Sequence, residues 1–209
     1  MFDTTQLLMF IGASLVLAIT PGPDVLYVLT RGITQGRKAA LFAACGFNIG
    51  VIAHTLFAVV GLSAILRTSA VAYQCVKYAG AAYLIYIGIQ TIRSRKGADA
   101  EQKVDVISPK AIFKQTIIAN ILNPKVALFF LAFLPQFVTP TGASPELQML
   151  VLGGLFMASG FAVFSMVALF SGLIGDKLRS NPRFEPRMKT AAGSVLVLLG
   201  LSLALPENN

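Results

Sequence analysis

Charge is scarce in this chain. Only 12% of its 209 residues are Asp, Glu, Lys or Arg, against roughly 25% in a soluble domain. So few charges cannot cover the water-facing surface of a 22.2 kDa protein. Disorder is excluded too, because 56% of the residues are hydrophobic and the mean hydropathy is +0.74. There is one histidine, His54, which rules out a multi-histidine metal site and the H-E-x-x-H helix of a metalloprotease. The two cysteines, Cys45 and Cys75, lie in separate apolar stretches without C-x-x-C spacing. They read as small core residues rather than a redox pair or metal site. Asp24 is the single acid within any apolar run, so no aspartyl dyad is available. The G-x-S-x-G turn and a phosphate loop ending in Gly-Lys-Ser/Thr are both missing. The chain is expected not to be an enzyme, to need no cofactor and to carry no ATP motor.

Long apolar runs take the place of charge. About 20 apolar residues cross a bilayer as a helix. Six such runs are read: Thr4 to about Thr30, Leu41–Leu66, Thr68–Ile92, Gln115 to about Thr139, Leu147–Gly175, and a short Thr190–Leu205. The first is not read as a cleavable signal peptide. It starts with Asp3 and no Lys or Arg, and it continues into Pro21-Gly22-Pro23-Asp24. The expected fold is an all-α integral membrane protein of six transmembrane helices in one domain, residues 1–209.

The net charge is +8, but the basic residues sit in the short gaps between runs, so a nucleic-acid partner is not inferred. The first gap holds Arg31, Arg37 and Lys38. The third holds Arg93, Arg95, Lys96, Lys103, Lys110 and Lys114. The fifth holds Lys177, Arg179, Arg183, Arg187 and Lys189. The second gap and its flank offer only Arg67 and Lys77, and the fourth none. The positive-inside rule puts gaps one, three and five in the cytoplasm, facing anionic lipid, and both termini in the periplasm. Residues 93–112, with the mixed-charge stretch Lys96–Lys103, read as a cytoplasmic linker between residues 1–92 and 113–209. Three spans on each side must enter the membrane from opposite faces. That is the topology of a 3+3 inverted repeat, common among secondary transporters.

Span one contains Thr20-Pro21-Gly22-Pro23-Asp24, and span four contains Asn123-Pro124-Lys125. Each is the first span of its triplet. Matched interruptions of this kind point to a transport site. Proline lacks an N–H and clashes with the carbonyl four residues back, so Pro21 disturbs Leu17, Pro23 disturbs Ile19 and Pro124 disturbs Asn120. In lipid the freed carbonyls need new partners. Thr20 and Asn123 are good N-cap types before a proline, so each span is expected to be two half-helices. Their N-terminal ends would face a shared central region and suit a carboxylate. Asp24 and Lys125 place opposite charges just after the breaks, and intramembrane charges face the bundle interior and pair. Asp24 would accept from a substrate ammonium, and Lys125 with the helix ends would donate to its carboxylate. A plain Asp24–Lys125 bridge between the halves is the structural alternative.

Among other polar residues, His54 and nearby Asn48 are candidates for proton coupling or cavity lining, or for a hydrogen bond to a neighbouring helix. Tyr83, Asn120 and Gln136 are further candidates for cavity lining or gating. Gly46 and Gly50 form a G-x-x-x-G that reads as close helix packing.

Ile19-Thr20-Pro21-Gly22-Pro23-Asp24 resembles the first-span motif of the LysE/RhtB family of bacterial amino-acid exporters. Asn123-Pro124-Lys125, followed by Ala127-Leu128-Phe129-Phe130 and Phe133-Leu134-Pro135-Gln136-Phe137, is similar to its fourth-span motif, and Gly80–Gly88 to its third span. The resemblance covers essentially the whole chain. It implies export of amino acids or close derivatives (homoserine, threonine, their lactones, branched or basic amino acids), energy from the proton-motive force, and a bacterial inner membrane. Substrate identity does not transfer with the motifs. The competing readings are an exporter of a metal ion or other small solute, and an intramembrane enzyme or a redox carrier using Cys45 and Cys75. A homodimer suits a small bundle, but no sequence feature requires it.

Overall fold

The computed structural model describes residues 2–62, 70–94, 105–139, 143–181 and 183–205. Arg67, Arg95, Lys96, Lys103 and the mixed-charge stretch between the last two lie outside them, as do residues 63–69, where spans two and three were expected to meet. All regular structure among the described residues is helical.

The first run forms two helices, α1 (Thr4–Ile19) and α2 (Pro23–Gln35), bent by 56°. A tight turn at Gly36, the one positive-φ residue among those described (φ 84°), leads to α3 (Arg37–Phe57), which runs on into a π-helical turn, Ala58–Leu62. Next come α4 (Ala70–Arg93) and α5 (Pro109–Ile121). The chain breaks again before α6 (Pro124–Leu128), which continues as a π turn (Phe129–Phe133) and a 3-10 turn (Leu134–Phe137). The bend here is 44°. Then follow α7 (Pro145–Leu169), α8 (Ser171–Ser180) and α9 (Phe184–Ala204). Four helices start with proline at the first helical position: α2, α5, α6 and α7. Proline costs nothing there, because that N–H has no helical partner in any case. Ser108, Asn123 and Ser144 cap three of them with side-chain oxygens.

Three helical stretches are long and apolar enough to cross a bilayer: Arg37–Gly61, Pro145–Leu169 and Phe184–Ala204. The two bent pairs raise the number to five if each is one span. Helix α4 has the length, 24 residues, but Gln74, Lys77, Gln90 and Arg93 keep it below the same hydropathy.

Three boundaries differ from expectation. The last span is not short, because α9 begins six residues earlier, at Phe184. Its charged first turns are neutralised by an i,i+4 pair, Lys189 Nζ to Glu185 at 2.6 Å, and Lys189 also donates to the Ser94 carbonyl. The fifth run is divided at Phe170, and only Pro145–Leu169 is one continuous helix. Helix α5 starts at Pro109, so residues 109–112 of the expected linker are helical.

Two buried cores are stacked along the bundle. One is aromatic: Phe10, Phe129, Phe130, Phe133, Phe137 and Phe156, with neighbouring ring centroids 4.8–6.4 Å apart. The other is built on alanine: Ala39, Ala40, Ala43 and Ala44 of α3 with Val28, Phe47, Ile112 and Phe164. On α3 the change comes between Phe47 and Val51, on α7 between Phe156 and Val163, and on the first run between Leu17 and Ala18.

Lipid tails are as apolar as leucine, so helices associate here by close packing. The G-x-x-x-G of α3 lies against α5. A Cβ on Gly46 would sit 2.0 Å from Thr116 Oγ1 and 2.5 Å from the Phe113 carbonyl. Gly46→Ala is therefore expected to lower the unfolding free energy by about 1–3 kcal/mol, the usual cost of overpacking. Gly12→Ala, with nothing within 4 Å of the new methyl, should stay within about 0.5 kcal/mol of the parent. Thermal unfolding in detergent checks the pair, and equal midpoints would contradict the packing.

Candidate functional site

The two breaks meet. Gly22 is the N-cap of α2, with extended backbone (φ −150°, ψ 179°), and Pro23 opens the helix. Asp24 therefore lies in the first turn of α2, where the helix dipole favours an anion. Asn123 is the N-cap of α6, its Oδ1 accepting from the Lys125 amide at 2.9 Å, and Pro124 opens that helix. The other end of the same side chain crosses to the first break, where Asn123 Nδ2 donates to Asp24 Oδ2 at 2.7 Å.

The carbonyls freed by proline find partners across the same gap. Pro21 removes the α-helical donor of Leu17 O, and Lys125 Nζ donates to that carbonyl at 3.1 Å. Pro124 does the same at Asn120 O, which instead receives the Asn123 amide at 2.8 Å and His54 Nε2 at 2.9 Å. A carbonyl only accepts, so His54 carries its hydrogen on Nε2. Asp24, His54, Asn120, Asn123 and Lys125 are all buried. Burying unpaired charge is costly, and each charged group here has a hydrogen-bond partner. Asp24 and Lys125 bond to Asn123 and to the Leu17 carbonyl rather than to each other.

Thr20 has a different place from the one expected. It is the C-cap of α1, and its hydroxyl bonds back to Val16 O at 2.6 Å, while Gly22 takes the N-cap position of α2. The reason is the second proline: Pro23 is the first helical residue, which moves the cap two positions on.

Two cavities adjoin this layer, and Asp24 lines both. A small one of about 20 Å³ is bounded by Asp24, Lys125, Asn48 and Asn120 with Phe156 and Gly160. A more open one of about 230 Å³ is bounded by Asp24, Tyr27, Phe47, Leu122, Asn123 and Pro124. The small cavity sits where the two cores change over.

The remaining candidates lie elsewhere. His54 does not line either cavity; its ring lies 5.9 Å from that of Phe130. Tyr83 packs on Tyr86 at 6.2 Å, half-buried on α4. Gln136 bonds the Ala132 carbonyl within its own segment. Cys45 is half-buried on α3, but Cys75 is exposed on α4 and so is no core residue. Among the described residues no three His, Cys, Asp or Glu side chains gather as a metal site.

Counting basic residues as loop charges missed one contributor. Arg31 is buried, lies over the Tyr27 ring at 5.0 Å, and bonds Gln35 and the Asp105 carbonyl. Tyr27 in turn donates to Gln115 at 2.8 Å beside the open cavity. The i,i+4 spacing of Tyr27, Arg31 and Gln35 was the available signal.

Comparison with known proteins supports the same reading. Residues 15–207 match the family model described as LysE type translocator. The chain belongs to the LysE family. It is a membrane transporter and not an enzyme. Similar proteins include an uncharacterized membrane protein of Vibrio cholerae, 30% identical over 94% of this chain and 95% of the relative. The homoserine/homoserine lactone efflux proteins of Salmonella typhimurium and Salmonella typhi are each 31% identical over 91% of this chain and 92% of theirs. No solved structure matches.

Asn123 holds both breaks. Asn123→Ala removes the cap and the bond to Asp24, and should cost about 1–3 kcal/mol. Asn123→Asp keeps the cap but sets a second carboxylate against Asp24, and should be worse than Ala. Melting temperatures of the purified variants in detergent test the order; Asp equal to the parent would contradict this contact.

Proposed function

We propose that this protein exports small amino acids and close derivatives, of the homoserine and homoserine lactone kind, across a bacterial inner membrane in exchange for protons. The observation that carries the reading is the convergence of both broken helices on Asp24, the buried carboxylate that lines a small cavity where the two cores change over and a larger, more open one beside it.

Asp24 is the ammonium site. An ionised carboxylate attracts a cation, and a protonated one does not. Substrate ammonium and proton therefore exclude one another at Asp24, which is the condition for antiport. Lys125 donates one of its three N–H groups to Leu17 O and has two left for a substrate carboxylate. Homoserine and its lactone share a primary ammonium. Lactonisation consumes both the carboxylate and the hydroxyl, so the ammonium is the group that both present.

The architecture under this reading is six spans in a 3+3 inverted repeat, with α4 as the third span. Helix α4 packs most extensively against α9 and also contacts the Phe129–Phe133 turn, burying one stripe (Lys77, Gly80, Ala81, Leu84 and Gly88) and exposing Val71, Tyr78 and Tyr86 on its outer side. The basic residues Arg31, Arg37, Lys38, Lys110 and Lys114 put the alanine core on the cytoplasmic side and both termini in the periplasm. The aromatic core is then the periplasmic seal. The larger cavity is the approach from the cytoplasm, with Tyr27, Gln115 and Arg31 at its mouth.

Efflux tests this directly. Purified protein in proteoliposomes, with an imposed pH gradient, should move radiolabelled homoserine against its concentration gradient. Asp24→Asn is expected to lower the rate at least a hundredfold while inserting normally. Wild-type rates in Asp24→Asn would end the proposal. His54→Gln retains an N–H donor for the Asn120 carbonyl and should keep the pH dependence of transport. Loss of that dependence in His54→Gln would transfer the coupling role to the histidine.

A further inference from the structure

The small cavity holds more acceptors than its own residues use. Asn48 Oδ1 and Asn120 Oδ1 are buried, and neither has a hydrogen-bond partner. A buried acceptor left unmade costs about 1–3 kcal/mol, and two of them line one cavity of about 20 Å³ with Asp24. That volume holds roughly one water molecule, the size of a single polar head. The remaining wall is Lys125, whose Nζ is held on Leu17 O, and apolar groups including Leu17, Val51, Val126 and Phe164; none of them bonds either oxygen.

Both amides are held in place. The Asn120 backbone carbonyl is fixed by His54, and its side chain lies against Gly50, where an added Cβ would come within 2.6 Å of Asn120 Cβ and 2.8 Å of Oδ1. Asn48 faces Gly160, whose missing side chain leaves the approach free; a Cβ there would stand 3.8 Å from Asn48 Oδ1.

We infer that Asn48 and Asn120 complete, with Asp24, a three-acceptor cradle specific for a primary ammonium. Three acceptors match the three N–H donors of such a group. One is charged and two are neutral, and Lys125 in the same wall offsets the charge, so the selection rests on the number of N–H donors. A hydroxyl has one hydrogen to donate and would leave an oxygen unpaired. The inference rests on the ammonium site proposed at Asp24 and adds a rule of selection. The primary amine is obligatory, whereas the carboxylate is optional: Lys125 has N–H groups left to meet one when it is present, but the cradle does not depend on it. Esters, amides and lactones of small amino acids are then substrates, and N-alkylated amino acids are not.

The test compares homoserine lactone with N,N-dimethyl-homoserine lactone in proteoliposomes. The second keeps the positive charge and has one N–H in place of three. Wild-type protein should show at least a tenfold higher half-saturation concentration for the dimethyl compound. In Asn48→Ala and in Asn120→Ala, both smaller than the parent side chain, that ratio should fall to threefold or less, chiefly through weaker handling of the parent lactone. Equal transport of the two compounds by the wild type would overturn the cradle even if neither variant folds. So would an unchanged ratio in both folded variants. Full export by Asp24→Asn, by contrast, would overturn the underlying site.

Discussion

A backbone carbonyl with no hydrogen bond is intolerable in hydrocarbon, and this fold is arranged around two of them. Proline at positions 21 and 124 strips the α-helical donors from Leu17 and Asn120 near the middle of the bundle. Water could satisfy such groups at a surface. Here both are buried, and side chains supply the replacement donors, Lys125 and His54. The replacements are exchanged between halves: the first half's carbonyl is held by a residue of the second, and the second's by a residue of the first. Asn123 adds a third crossing link, to Asp24. The breaks are thus tied to each other by side-chain bonds, in addition to the helix packing of α4 on α9 and α3 on α5.

That joining bears on movement. If one half rocks against the other, the crossing bonds are the costliest contacts to separate, because each would leave a polar group unpaired in a low-dielectric layer. Among the described residues the aromatic core has no such bond, and the alanine core has one at its edge, Tyr27 to Gln115. One is a stack of phenylalanine rings carried partly on a π turn, a geometry often found at functional sites. The other is alanine against alanine, with short side chains and close backbones. Under the proposed function, opening on the aromatic side would part apolar surfaces, and opening on the alanine side would also break the Tyr27–Gln115 bond. In that scheme the polar layer is the pivot and the cores are the gates.

Much of this was written in the residues. The matched Pro motifs, the i−4 relation from Pro21 to Leu17 and from Pro124 to Asn120, and the rarity of intramembrane charge were enough to bring Asp24 and Lys125 to one cavity. What they could not supply was the pairing. Opposite charges suggested a direct bridge, yet Asn123 stands as the link, because an N-cap side chain has a second polar end free to cross the gap. Thr20 looked like a cap by residue type, but the second proline moved that role to Gly22. The last helix looked short because hydropathy sees Glu185 and Lys189 as two charges, whereas the helix pairs them. Asn48 and Asn120 were candidates for cavity lining by residue type alone; their unpartnered oxygens are a property of three-dimensional packing.

The choice of a neutral amide beside Asp24 also has a consequence for turnover. A carboxylate locked in a close pair with Lys125 would have its charge compensated at contact, and an incoming cation would have to break that pair. An amide donor orients the carboxylate while leaving its charge largely uncompensated at short range. Lys125, held on the Leu17 carbonyl, moderates the potential without occupying the site. Asp24 is thus oriented by one neighbour and kept near neutral balance by another, which is what the proposed exchange of a proton for an ammonium would require. Exchanging the roles of Asn123 and Lys125 would give a stronger bond and a poorer carrier, because a group bound tightly in every state cannot release its cargo in any of them.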